Sequence, residues 1–436
     1  MKVKIANGLV IDPKNKRHDK LDILFEDNEV LRIAKKINDD ADIIMDASNL
    51  IVSPGFVDVH PNFCDPGVTS REDLKSGSMS AVKGGFTHVV LGTDNKPSPS
   101  QCNVLEYINR YCDIMPVNIY TAAALTEDRL GAELADIKFL ANHGAYVFSD
   151  GLRPIDNKDL LKKAMVMCKS VNVPIALLSL DLKGIKYRGI NAGKVATELS
   201  IKSAEPQANE AKDLQTNLDL AIATGAKVEF MYLSTKESFD LFSKYKSDNN
   251  NIVSSVQVLN FMLNEDSLLK KGTLSKIIPP LRTEADRKAC IKAIADNVID
   301  IISSNHVPCT EEDKSYKLKD ANAGSIGLET FLGAIGAKLV DNKKITWDSI
   351  IEKISLNPAR FYGIDEDGAG SIDVGNPVNL TIFDPEEKWT LNEEEIVSKS
   401  KNSPLIGVPL KAKVRWTICE GKLVYKQKEK VENDAE

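Results

Sequence analysis

Short apolar runs alternate, along most of the chain, with segments whose apolar residues recur every third and fourth position. Eight runs of strand length can be read in order. The first four are IVSPGFVDVH ending at His60, FTHVVLGTD ending at Asp94, VNIYTAAAL ending at Leu125 and GAYVFSD ending at Asp150. The second four are VPIALLSLD ending at Asp181, AKVEFMYLS ending at Ser234, NIVSSVQVL ending at Leu259 and VIDIISSNH ending at His306. Between them, segments such as NKDLLKKAMVMCKSV and EADRKACIKAIADNV carry the spacing of an amphipathic helix. Near-continuous apolar strands separated by helical crossovers are the mark of a parallel sheet covered on both faces. Eight such units predict a (β/α)₈ barrel, an α/β fold.

The two ends of the chain follow another period. VKIANGLVID and DILFEDNEVLRIA near the start, and GSIDVGNPVNLTIFDP and KVRWTICEGKLVYK near the end, alternate or run apolar as strands do. The division predicted is a composite β-sandwich built from residues 1–53 and 363–436, beside a barrel of residues 54–362. The tail KQKEKVENDAE is charged and nearly devoid of apolar residues, so it is expected to fray.

Composition narrows the class without changing this picture. A chain of 436 residues, 42% hydrophobic and 27% charged with a net charge of -7, is that of an ordinary folded protein with a substantial core. Its mild acidity argues against nucleic acid as a partner, because phosphate binding needs a basic face. No run approaches the ~20 apolar residues of a membrane span and the amino terminus lacks a secretory pattern, so the expected location is the cytoplasm. Seven cysteines without a CxxC pair read as reduced, mostly buried thiols.

Barrel chemistry sits at the carboxyl ends of the strands. The chain has five histidines, no two within four residues of each other, and only His60 and His306 fall at predicted strand ends. His88 is placed just ahead of a buried strand, His18 in a charged run and His143 in a loop. The plain reading of His60 and His306 is that of hydrogen-bonded residues in a polar barrel mouth. The sharper one is a ligand role, and His60, Cys64, His306 and Cys309 form one conceivable zinc set, since two thiolates and two imidazoles suit that metal.

The stretch PGFVDVHPNFCDPG followed by KGGFTHVV resembles the dihydroorotases, whose pattern there is PGFVDVHVHLREPG followed by a GGFTTVV-like run. The likeness continues through FSDGLRP, VPIALLSLD, AKVEFMYLSTKES, IIPPLRTEADR, SNHVPCTEEDK, GSIGLETFL, SLNPARFYGI and DVGNPVNLTIFDP, and so spans nearly the whole chain. It implies a zinc-dependent hydrolase of a cyclic amide, acting in pyrimidine biosynthesis and assembled as a dimer. Such a hydrolase needs a metal-activated water, and therefore several imidazoles and carboxylates converging at the strand ends.

At the positions that the resemblance assigns to the metal, this chain departs from the pattern. The His-x-His pair is His60 and Asn62. The second acid of the FSDDG-like run is Gly151, which leaves only Asp150 beside it. The histidines of the fifth and sixth strands fall on Leu178 and Tyr232, and the aspartate of the DHAPH motif, which would bind metal and move the proton, is Asn305. An amide side chain has no useful basicity. The substrate contacts implied by the family depart as well: Cys64 replaces an arginine, Asp94 and Ile278 replace asparagines and Cys309 replaces a histidine.

No metal cofactor and no catalysis are therefore expected. Inactive members of this family serve as structural partners of aspartate carbamoyltransferase, which makes that enzyme the partner the resemblance implies. Two other readings stand beside it: an active cyclic-amide hydrolase with a remodelled site, and a small-molecule sensor using the emptied pocket.

Overall fold

The computed structural model describes residues 1–246, 251–340 and 345–428. Residues 429–436 of the tail expected to fray lie outside the described residues.

The barrel strands are β1 (Phe56–Val59), β2 (Phe86–Val90), β3 (Asn118–Ala123), β4 (Ala145–Phe148), β5 (Ile175–Leu178), β6 (Val228–Met231), β7 (Ile252–Gln257) and β8 (Ile301–Ser303). Each neighbour pairs in parallel, in the order β8-β7-β6-β5-β4-β3-β2-β1. β1, β2, β5 and β6 are buried along their whole length, which is why FVDV, FTHVV, IALL and VEFM read as runs rather than alternations.

β8 and β1 stand at the two ends of the order, and side chains tie the seam between them. The buried Asp58 carboxylate of β1 accepts hydrogen bonds from the Ser303 hydroxyl at 3.0 Å and the Ser304 amide at 2.9 Å. The Ser303 hydroxyl also lies 2.7 Å from the Val59 carbonyl, and the Asn62 amide donates to the His306 carbonyl at 2.8 Å.

Two expectations about strand limits are corrected. The first run, IVSPGFVDVH, is not one strand: Ile51–Pro54 belongs to the terminal sheet and only Phe56–Val59 to the barrel. The chain turns between them at Gly55, where a Cβ would stand 2.0 Å from the Thr87 hydroxyl. His88 does not precede a strand but sits inside β2, 1% exposed, with its ring nitrogens facing the Thr87 hydroxyl at 2.8 Å and the Asn118 amide at 3.2 Å.

Both chain ends form one eight-stranded mixed sheet. The strand Ile51–Pro54 joins its halves, running parallel to Lys2–Asp12 and antiparallel to Leu380–Thr390. Phe383 of the latter strand reaches into the barrel core, with ring centroids 6.1 Å from Phe56 and 4.9 Å from Trp347. The sheet and the barrel thereby share one apolar cluster.

Candidate functional site at the carboxyl ends of the strands

Three residues that directly follow or closely trail barrel strands adopt the left-handed backbone conformation without being glycine: His60 after β1 (φ 63°), Tyr232 after β6 (φ 56°) and Asn305 after β8 (φ 44°). Side chains rarely accept this conformation, and it concentrates where a fold aims groups at a site. All three line one cavity, together with Asn62, Asp94 and Gly151. The structure thus gathers six of the positions named from sequence. Leu178 is buried at the end of β5, and Leu178, Cys64, Ile278 and Cys309 do not line this cavity. The free space is about 10 Å³, roughly what one water requires.

His60 is committed to the barrel interior. Its Nε2 stands 3.0 Å from both Glu229 Oε2 and the Tyr362 hydroxyl, and the Tyr362 hydroxyl also donates to Glu229. Burial alone would raise the Glu229 carboxyl. The His60 imidazole beside it, with the hydrogen bonds from His60 and Tyr362, outweighs burial and holds it below the usual range. An Nε2–H donated to that carboxylate leaves the His60 Nδ1 lone pair without a protein partner.

The other positions offer a metal little. Burial, and then the nearby charges of Asp58 and Glu229, push the Tyr232 phenol well above its ordinary value, so it stays neutral; it donates weakly to the Val59 carbonyl at 3.4 Å. Asn305 donates through Nδ2 to Gln257 Oε1 at 2.5 Å and to the Ile278 carbonyl at 2.9 Å. Gly151 has φ 62° and no side chain. Asp150, its neighbour, faces away: it accepts from the backbone amides of Leu125 and Thr126, each at 3.0 Å, and from the Thr126 hydroxyl at 2.5 Å. Asp94 is paired with Arg129.

The conceivable zinc set of His60, Cys64, His306 and Cys309 is not assembled. His306 uses both ring nitrogens, with Nε2 3.3 Å from Glu72 and Nδ1 accepting from the Gly327 amide at 3.2 Å. Burial, with the charge of Asp94 adding to it, pushes the Cys64 thiol up to about 12, and burial raises Cys309 too, whereas zinc binds thiolates. Among the described residues, no group of three or more His, Cys, Asp or Glu is placed to hold a metal ion. The donor set present does not fit zinc.

Sequence reasoning passed over Glu229, Tyr362, Asp58, Gln257 and Arg129. A charged residue inside the apolar runs VEFM and FVDV is a legible anomaly, because a buried carboxylate requires partners. Nothing in the sequence marks Arg129 or Tyr362, whose roles depend on which strand ends they meet.

An eight-stranded parallel barrel beside a mixed sheet of both termini, with histidine and polar groups at the strand ends, defines the class. The profile of the amidohydrolase family matches residues 51–424, and the chain belongs to that family. Within it the chain is a dihydroorotase homologue. It is 39% identical to "Dihydroorotase" of Clostridium acetobutylicum, over 97% of this chain and 99% of that one. The figures are 37%, 97% and 99% for the protein of that name from Clostridioides difficile, and 35%, 98% and 100% for that from Aquifex aeolicus. Among solved structures, the L-hydantoinase (dihydropyrimidinase) of Arthrobacter aurescens shares the fold. Its TM-score is 0.87 at 20% identity, over 98% of this chain and 96% of that one.

Proposed function

We propose that this chain is a non-catalytic dihydroorotase-like protein of pyrimidine biosynthesis. The observation that carries this reading is the barrel mouth itself. Leu178, Tyr232, Asn305 and Gly151 stand where the resemblance puts metal ligands, His60 and Asn305 hydrogen-bond to Glu229 and Gln257, and the cavity lined by His60, Asn62, Gly151, Tyr232 and Asn305 leaves about 10 Å³. A cyclic-amide hydrolase must generate a hydroxide-like nucleophile at neutral pH and must seat the ring beside it. Neither an amide at Asn305 nor a neutral phenol at Tyr232 supplies the first, and the cavity does not supply the second.

A barrel kept without its chemistry still presents a large folded surface. The partner proposed is aspartate carbamoyltransferase, with the chain itself as a homodimer; this part rests on the resemblance to inactive members of the family. The test combines two measurements on the purified full chain. Elemental analysis is expected to find no stoichiometric zinc, with no turnover of dihydroorotate or carbamoyl aspartate. Light scattering of a mixture with the organism's transcarbamoylase is expected to show a mass above either component. Stoichiometric zinc with turnover overturns the non-catalytic reading, and an unchanged mass overturns the partner.

A further inference from the structure

Three arginines meet on the loops that follow β3, β4 and β5, at the rim of the filled cavity. Arg129 is 7% exposed and has φ 56°, and its neighbour Asp128 also has positive φ. Arg153 Nη1 donates to the Arg129 carbonyl at 3.3 Å, and Arg188 Nη1 donates to the Leu152 carbonyl at 2.6 Å. These contacts tie the three loops together, holding the Arg153 guanidinium at the Arg129 backbone and the Arg188 guanidinium one residue from Arg153, although like charges repel and guanidinium groups remain protonated.

The donors of this cluster are incompletely used. Arg129 Nε, Arg188 Nε and Arg188 Nη2 are shielded from solvent and have no hydrogen-bond partner. Buried donors of this kind are costly to leave unpaired, the more so when charged. The carboxylates at hand do not balance the arginines. Asp94 is engaged by Arg129. Glu205 lies 3.8 Å from Arg188 Nε but also faces the charge of Arg282. Arg153 has no ion pair among the described residues. Burial lowers the Arg188 guanidinium and Glu205 opposes it, while Arg153 lowers it further, so these two arginines lie within electrostatic reach of each other.

We infer that Arg129, Arg153 and Arg188 form a binding site for a small oxyanion, a carboxylate or phosphate group, spanning the loops after β3, β4 and β5. The planar guanidinium fork matches the paired oxygens of such groups, and a bound oxyanion satisfies the orphaned N–H donors while separating the positive charges. The location is telling. A Cβ placed on Gly151, the position that the resemblance gives to the bridging aspartate, would lie 3.7 Å from Arg129 Nη1. A fixed guanidinium thus stands beside the place where the family holds its cation, so attraction for an anion persists from a different source. The site does not depend on loss of hydrolysis: turnover of dihydroorotate would overturn the proposed function and leave this site standing.

The test is titration calorimetry of the full chain at low ionic strength with two probes, inorganic phosphate and citrate, on the wild type and on R153Q, R188Q and K270Q. Arg153 and Lys270 are exposed, so their substitution leaves the fold intact, which thermal melting of the unliganded proteins checks. Expected is one saturable site per chain for at least one probe, weakened about tenfold or more in R153Q and in R188Q and unchanged in K270Q. Preference between the probes identifies the anion as phosphate or carboxylate. The absence of saturable binding by either probe overturns the site. So does affinity that R153Q and R188Q leave unaltered, or that K270Q reduces equally.

Discussion

At the scale of single residues, the barrel mouth shows how side chains commit a costly backbone geometry to internal hydrogen bonds. His60, Tyr232 and Asn305 keep left-handed backbones that cost of order 1–3 kcal/mol each in the absence of compensation. Here the compensation is internal. The His60–Glu229–Tyr362 cluster and the Asn305–Gln257 amide pair fill the interior with protein hydrogen bonds. His88, buried in β2, gives a pH test of this interior. Burial lowers its imidazole to about 4 from an ordinary 6.5, with Glu420 opposing weakly. The unfolded chain therefore takes up the proton first as pH falls. The stabilisation from the neutral ring is complete above pH 6.5 and is lost progressively towards pH 4, by up to about 3 kcal/mol. Denaturant unfolding at a series of pH values should show the His88→Gln variant losing less stability than the wild type across that window. Equal slopes would mean that the ring is solvated or protonated in the fold.

At the scale of elements, the seam between β1 and β8 is the joint on which the site depends, since His60 and Asn305 follow its two strands. Asp58 holds it by accepting from Ser303 and Ser304. Burial raises the Asp58 carboxyl, and the hydrogen bonds from the two serines pull against that. Truncation in Asp58→Ala orphans the Ser304 amide and hydroxyl in a dry place, while Ser303 keeps the Val59 carbonyl, and costs about 3 kcal/mol. Hydrogen exchange should localise the damage: the amides of Ser304, Asn305 and Asn62 exchange faster, while those of β4 and β5 stay protected. Uniform acceleration, or none, would deny the seam its role.

At the scale of the whole molecule, the terminal sheet and the barrel are joined through an aromatic contact in which Phe383 meets Phe56 and Trp347. Phe383 is fully buried. Phe383→Ala removes about 3–5 kcal/mol of packing by transfer and cavity terms together. Thermal melting followed by far-ultraviolet circular dichroism should show a lower midpoint, and an unchanged midpoint would separate the two sheets energetically. The zinc, turnover and transcarbamoylase measurements belong to this scale too, because they test what the intact molecule does as a whole.

The barrel, its eight strands and the sheet of both termini were legible in the sequence because burial on two faces writes itself as unbroken apolar runs, and half-burial as alternation. The departures at Asn62, Gly151, Leu178, Tyr232 and Asn305 were read from the register of the collinear motifs and stay with the resemblance; the structure itself brings Asn62, Gly151, Tyr232 and Asn305 to one cavity and leaves Leu178 outside its lining. What the chain order could not convey is which groups meet across the barrel. Glu229 finds His60 from 169 residues away and Tyr362 finds Glu229 from 133. Whether the mouth is open or filled, and whether Arg129, Arg153 and Arg188 converge, depends on the closure of the barrel. Local patterns encode one residue's exposure and period, whereas the partners of a buried charge are set by the directions in which distant strand ends point.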